Sequence, residues 1–185
     1  MIIADPPRCG LAGIVLRPLA RTDIDAWHTY LSIPEVTEHT SWSLQGPETL
    51  EVLFDQYESP APHSALRFAI IDERRECLAG TIGLHSRSSA DRRAELAYDL
   101  SPLYWGRGIA TAVCAAVTLW AYAALDLQRV QATVLETNMR SERVLRRCGF
   151  AFEGLLRGYR LVRGRPGNFR MYARLAGDSG EPATS

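Results

Sequence analysis

The order of apolar patterns along the chain predicts an α+β domain. Three observations carry that reading. Between Leu66 and Leu100, three strand-like runs follow one another across short polar turns, the pattern of an antiparallel meander. Directly after them, Ile109, Val113, Val117, Trp120 and Ala124 recur every three or four residues, the spacing of a helix laid on a sheet. Four further strand-like segments, one before the meander and three after it, are set off by helical stretches except for the last two, which a turn joins.

In order, Gly13–Leu19 (GIVLRPL) reads as the first strand. Thr22 opens an acid-rich helix that sets Ile24, Trp27 and Leu31 on one face. Pro34 is expected to end that helix, residues 38–45 to cross as a loop, and Pro47 to sit in the first turn of a second helix running to about Glu58. RFAIID, CLAGTIGLHS and RRAELAYDL form the meander, the last alternating Ala94, Leu96, Tyr98 and Leu100 on one face. After the long helix, RVQATVL is a strand, Asn138 caps a short helix ending at Cys148 and Gly149, and Phe150–Arg160 is a strand. RGRPG reads as a turn into the last strand, NFRMYARL. Residues 1–175 are expected to form one domain, and 176–185 (AGDSGEPATS), lacking apolar content, a disordered tail.

Composition narrows the function. With 21 basic and 21 acidic residues there is no electrostatic case for nucleic acid or an anionic membrane. Every basic residue is arginine, which excludes a lysine Schiff base, a P-loop lysine and the lysine of a protein-kinase site. Cys9, Cys77, Cys114 and Cys148 show no C-x-x-C pair and no histidine cluster, so neither a metal site nor a disulfide framework is expected, and a reducing cytoplasm is. The first ten residues lack the basic end and apolar run of a signal peptide. The apolar stretch 109–125 carries Thr, Tyr and Trp and reads as a core helix, not a membrane span.

The most informative unit is the strand Ala94–Leu100, the turn SPLYWGRG and the helix from Ile109. Amides at a helix start lack partners within the helix and lie at the positive end of its dipole, so an anion such as a diphosphate fits there. Gly106 and Gly108 let backbone approach it closely, Ala110 and Thr111 keep the first turn small, and Arg107 adds charge. Alone, a short Gly-x-Gly is also an ordinary loop before a core helix. A dinucleotide fingerprint with Asp126 as the ribose-binding acid is rejected, because the turn follows antiparallel-looking strands and Thr111 stands where a third glycine belongs.

On these residues the chain resembles the GNAT superfamily of N-acetyltransferases, whose signature is Gln/Arg-x-x-Gly-x-Gly/Ala between the fourth strand and the next helix. Gly108 and Ala110 match its last two positions; Trp105 in the loop resembles the Rim-type branch that acetylates ribosomal-protein N-termini. ETNMRSERVLRRCGF resembles the same branch's N-x-x-S-x-x-V/L-x-x-x-x-G-F segment. The likeness spans most of Ile14–Leu175, including LRPL, EGLLRG and MYARL.

The resemblance implies a mixed, mainly antiparallel sheet of about seven strands flanked by helices. Strands four and five are parallel and splay apart around the pantetheine arm, with a bulge near 97–99. It implies acetyl-CoA as co-substrate, no metal, and cofactor contacts at Leu100, Trp105, Gly106, Arg107, Gly108, Ile109, Ala110, Thr111 and Asn138. Similar proteins are commonly homodimers.

Acetyl transfer needs a neutral amine, a polarised carbonyl, a home for the oxyanion and a proton for the thiolate. The Tyr98 amide is the candidate oxyanion donor and Ser141 the candidate proton donor, although Asn138 and Ser141 also read as a helix cap. Glu95 is the first-choice base, with Glu136 and Glu153 as alternatives; each also reads as a strand-end ion pair. His39 and Trp42 are placed at the acceptor pocket, and Arg140, Arg143 and Arg147 form a stripe that is either a CoA 3′-phosphate contact or a solvated face. Asn168 stands where relatives often carry aspartate. The expected activity is acetylation of a primary amine, on a protein N-terminus or a small molecule, by direct attack in a ternary complex; the alternative is a noncatalytic acyl-CoA-binding module.

Overall fold

The computed structural model describes residues 5–40, 46–59, 61 and 63–178. Its strands are β1 (Ile14–Pro18), β2 (Leu66–Asp72), β3 (Cys77–Ser88), β4 (Arg93–Leu100), β5 (Arg129–Leu135), β6 (Ala151–Val162) and β7 (Arg165–Leu175), and they form one sheet in the order β1-β2-β3-β4-β5-β7-β6. Its helices are α1 (Ile24–Leu31), α2 (Pro34–Thr37), α3 (Glu48–Tyr57), α4 (Ile109–Leu125) and α5 (Met139–Arg147). Every neighbouring pair of strands is antiparallel except β4 and β5.

Strand alternation divides the interior into two cores. Phe68, Ile70, Ile82, Leu84, Leu96 and Val130 point to the face covered by α4 and α5, where they pack with Val113, Val117, Leu145 and Phe150. Phe68 meets Trp120 edge to face at 5.4 Å. On the opposite face Ala69 and Leu78 pack with Trp27, Leu31, Leu50 and Phe54 of α1 and α3. The segment before β1 docks on α4, where the Trp120 indole N–H donates to the Asp5 carbonyl at 3.0 Å.

The parallel pair determines where a ligand can enter. β4 and β5 are in register only at Arg93↔Arg129, Ala94↔Val130 and Glu95↔Gln131; beyond them the strands diverge. The expected bulge at 97–99 is absent: β4 pairs with β3 without a break from Leu100↔Gly80 to Glu95↔His85, and the irregularity falls between His85 and Ser88 on β3. Divergence from β5, not a bulge, frees the β4 amides.

Three boundaries differ from the sequence reading. Helix α1 ends at Leu31, with the Ser32 hydroxyl donating to the His28 carbonyl at 2.8 Å, and Pro34 does not terminate it but opens α2 from the first helical position. RGRPG is not a loop: β6 runs to Val162, Arg163 and Gly164 make a two-residue turn at φ 51 and 76, and β7 begins at Arg165. Paired left-handed residues match the twist of a tight hairpin, so both strands continue to the turn. Of the expected tail, residues 176–178 are tied to the sheet, the Asp178 carboxylate accepting the Leu175 amide at 2.8 Å and Ala176 donating to the Gln128 carbonyl at 3.0 Å; residues 179–185 lie outside the described residues.

Candidate active site

The loop after β4 has the geometry of an anion cradle. Pro102–Tyr104 form a 3-10 turn, and Gly106 (φ 73) and Gly108 (φ 75) then adopt left-handed backbone. A Cβ at either glycine would meet nothing within 4 Å, so the requirement is conformational. Ala112 returns to the Gly108 carbonyl at 3.0 Å and Trp105 to Pro102 at 3.2 Å. Between them, no acceptor among the described residues takes the amides of Gly106, Arg107, Gly108, Ile109, Ala110 or Thr111. Six amides in a row, at the positive end of a 17-residue helix, suit a diphosphate. Arg107 lies over the Tyr104 ring at 5.4 Å and Arg140 over the Trp105 ring at 4.7 Å, so two cations flank the turn. The Trp105 indole donates to the Leu100 carbonyl at 2.9 Å, tying the loop to the end of β4.

Next to the cradle, the divergence of β4 and β5 opens a cavity of about 130 Å³. Residues from both faces of the sheet line it: Leu96, Tyr98, Asn138 and Ser141 from the α4/α5 side, and Glu95, Asp99, Thr133 and His85 from the other. The slot thus passes through the sheet. The Ser101 amide bonds to Ala79 on β3 at 2.9 Å, so strand alternation turns the Leu100 and Tyr98 amides to the opposite, β5 side, past the last paired residue. On the α5 rim, Asn138 Oδ1 accepts the Ser141 amide at 3.1 Å and holds the serine at the first turn of the helix. The Tyr98 hydroxyl is buried beside Ser141, and burial pushes its pKa well above the usual phenol range, opposed by Ser141.

On the far side, Glu95 is buried. Its Oε1 accepts from Thr133 at 2.6 Å and from Arg160 at 3.0 Å; its Oε2 has no such partner among the described residues. His85 Nε2 lies 4.0 Å from Glu95 Oε1. Burial lowers the pKa of His85, reinforced by the charges of Arg160 and Arg67 and opposed by Glu95. Beneath them sits a polar cluster that the sequence reading missed. Asp99 accepts from Thr81 at 2.9 and 3.0 Å, from the Trp27 indole at 3.2 Å, and from Tyr30 and Arg67. Its sequence signal was a lone arginine inside the apolar run LRFAIID. A second cavity of about 700 Å³, between α3 and the β2–β3 edge, shares Arg67, His85, Ala97 and Arg160 with the first.

The family described as Acetyltransferase (GNAT) domain matches residues 14–151. The chain belongs to the GNAT acetyltransferases. An uncharacterized N-acetyltransferase of Bacillus subtilis, YoaA, is 32% identical over 166 residues, 86% of this chain and 92% of the relative. A putative ribosomal N-acetyltransferase of the same organism, YdaF, is 36% identical over 87 residues, 47% of this chain and 48% of its own. The spermidine N-acetyltransferase of Vibrio cholerae, solved with CoA and spermine, superposes with a TM-score of 0.79 at 21% identity, over 89% of this chain and 96% of its own. As a GNAT member the chain is an acetyl-CoA-dependent N-acetyltransferase that acts on an amine.

Within this GNAT site, Glu95, Tyr98, Asn138, Ser141 and His39 line one cavity, and Gly106–Thr111 form the cradle beside it. Leu100 does not line the cavity: its side chain is buried in the core, its carbonyl is taken by Trp105, and only its amide faces the slot. Trp42 lies outside the described residues. His39 Nδ1 is 3.2 Å from the Thr137 hydroxyl, which fastens the α2 end to the β5–α5 turn. Neither Glu136 nor Glu153 lines the cavity; Glu136 accepts from Asn168 at 3.0 Å, and Glu153 pairs with Arg129 at 2.5 and 2.8 Å. Asn168 also accepts the Gly158 amide at 3.0 Å and so supports an irregularity in β6. Arg143 and Arg147 are exposed. No helix is long and apolar enough to cross a membrane among the described residues.

Proposed function

We propose that the chain acetylates the primary amine of a peptide or protein N-terminus, or of a small amine with an uncharged body, by direct attack in a ternary complex. The observation that carries the reading is a slot through the sheet with an anion cradle on one side and a buried carboxylate on the other. When bound, acetyl-CoA supplies an activated acyl carbon as a thioester. The amides of Gly106–Thr111 hold its diphosphate, with Arg107 and Arg140 alongside. The Tyr98 and Leu100 amides serve the developing oxyanion, because fixed donors in a water-poor slot act most strongly where charge appears. Asn138 positions Ser141, whose hydroxyl protonates the departing thiolate. Glu95 Oε2 receives the acceptor's ammonium and takes its proton.

Charge argues against a polycation. Among the described residues, Arg67 pairs with Asp99 and Arg160 with Glu95, so the two buried carboxylates of the slot are already matched by guanidiniums and are not free for the several ammonium groups of a polyamine. The Rim-type assignment belongs to this reading, supported by YdaF and by the Trp105 loop. So does a cytoplasmic location, supported by four free cysteines. A homodimer across the free edge of β6 fits as well: Phe152, Leu155, Tyr159 and Leu161 are 43–62% exposed along it, and one strand edge is complementary to its own two-fold copy.

The test is thiol release from acetyl-CoA with an acceptor panel of short peptides beginning Ser, Ala or Met, simple amines, and spermidine. Peptide-dependent release is expected. Release with spermidine alone overturns the acceptor class; CoA uptake without any acceptor-dependent thiol overturns catalysis.

A further inference from the structure

Acetylating an ammonium removes two protons from nitrogen. One ends on the thiol, and the other must leave the site for every turnover. Glu95 is buried at 4% exposure, so a proton taken by its carboxylate leaves most readily through a neighbouring group. His85 stands where such a route would begin. It lines the slot beside Glu95, with Nε2 4.0 Å from Oε1, and it also lines the larger cavity that opens between α3 and β3. Its side chain retains 35% exposure, and its Nδ1 lies 3.0 Å from the hydroxyl of exposed Ser86. One ring nitrogen therefore faces the reaction side and the other the solvent side.

We infer that His85 is the proton relay of this site, carrying the amine's proton from Glu95 into the second cavity. The step balances: the ammonium gives one proton to Glu95; Glu95 gives it to Nε2 of a His85 ring protonated on Nδ1, directly or across one water; His85 releases the Nδ1 proton toward Ser86 and bulk water; and exchange with solvent returns the neutral ring to its Nδ1–H form. The second nitrogen-bound proton goes to the thiolate through Ser141. The charged groups around the ring are Glu95 from β4, Arg67 from β2 and Arg160 from β6, while Asp55, Tyr57 and His63 stand across the second cavity. Burial disfavours imidazolium, opposed by Glu95 and reinforced by the two guanidiniums, so the ring passes its proton on instead of keeping it. The same cause sets the sign of the pH dependence: the ring must be neutral to receive a proton, so activity holds as pH falls to the ordinary imidazole pKa and drops only below it.

The inference rests on the proposed reaction, and its test begins with the wild-type protein shown to release thiol with an acceptor. His85→Ala is then expected to lower kcat by roughly 100-fold with little change in the KM for acetyl-CoA, and added imidazole is expected to restore at least tenfold of it. His85→Gln, which fills the space but carries no basic nitrogen, should be equally slow and not rescued. If His85→Ala keeps wild-type kcat and pH profile, or is slow and gains nothing from imidazole, the relay is overturned while the acetyltransferase reading stands. If the wild type releases no thiol with any acceptor, the reaction itself has failed.

Discussion

At the scale of single residues, the proposed mechanism gives different work to groups three residues apart on one strand. Glu95 and Tyr98 both lie on β4, yet alternation sends Glu95 to the α1 side and Tyr98 to the α5 side, so in the proposed mechanism one strand serves both halves of the reaction. Ser141→Ala is expected to lower kcat by about tenfold or more and leave CoA affinity unchanged, since the cap of α5 uses the serine's amide and the Asn138 side chain, not its hydroxyl. Glu95→Gln should lower kcat further while leaving CoA affinity unchanged. Steady-state kinetics with calorimetry for CoA separates these effects; a Ser141→Ala enzyme at full turnover removes the hydroxyl from the mechanism. Much of this was legible beforehand, because strand alternation and a capping Asn–Ser pair are local patterns. What each group touches was not. The partners of Glu95, Thr133 and Arg160, come from β5 and β6, and no local pattern reports which strands become neighbours.

At the scale of elements, the parallel pair β4–β5 is held for three residues and then opens, and the Asp99 cluster stands beside the opening. Arg67 on β2, Thr81 on β3 and Trp27 and Tyr30 on α1 all converge on Asp99 of β4, joining four elements through one carboxylate. Asp99→Ala leaves a buried guanidinium unpaired, a change expected to destabilise the fold by about 3–5 kcal/mol. Urea denaturation measures it, and a loss under about 1 kcal/mol would show that the cluster is solvated and weak. The elements themselves were readable, since each strand and long helix has its own periodicity. Register was not: the sequence reading put an irregularity on β4 at 97–99, whereas it lies on β3 between His85 and Ser88, because pairing is a property of two segments together. Pro34 was likewise read as a stop, when its fixed φ also suits a helix start.

At the scale of the whole molecule, the sheet acts as a partition pierced at one place. The α4/α5 side carries amides without an acceptor among the described residues and flanking arginines, the proposed anion side; the α1/α3 side carries a carboxylate, an imidazole and a large cavity, the proposed amine side. The two-sided arrangement follows from topology, since a parallel crossover through α4 places the helix start at the end of β4, beside the gap that β5 leaves. The central claim, that the six amides of Gly106–Thr111 grip the diphosphate of CoA, has a direct measurement in a 15N-resolved NMR titration with CoA. The account predicts that the amides of residues 106–111 show the largest saturable shifts. Saturable binding with those six amides unmoved, and the largest shifts elsewhere, would contradict it.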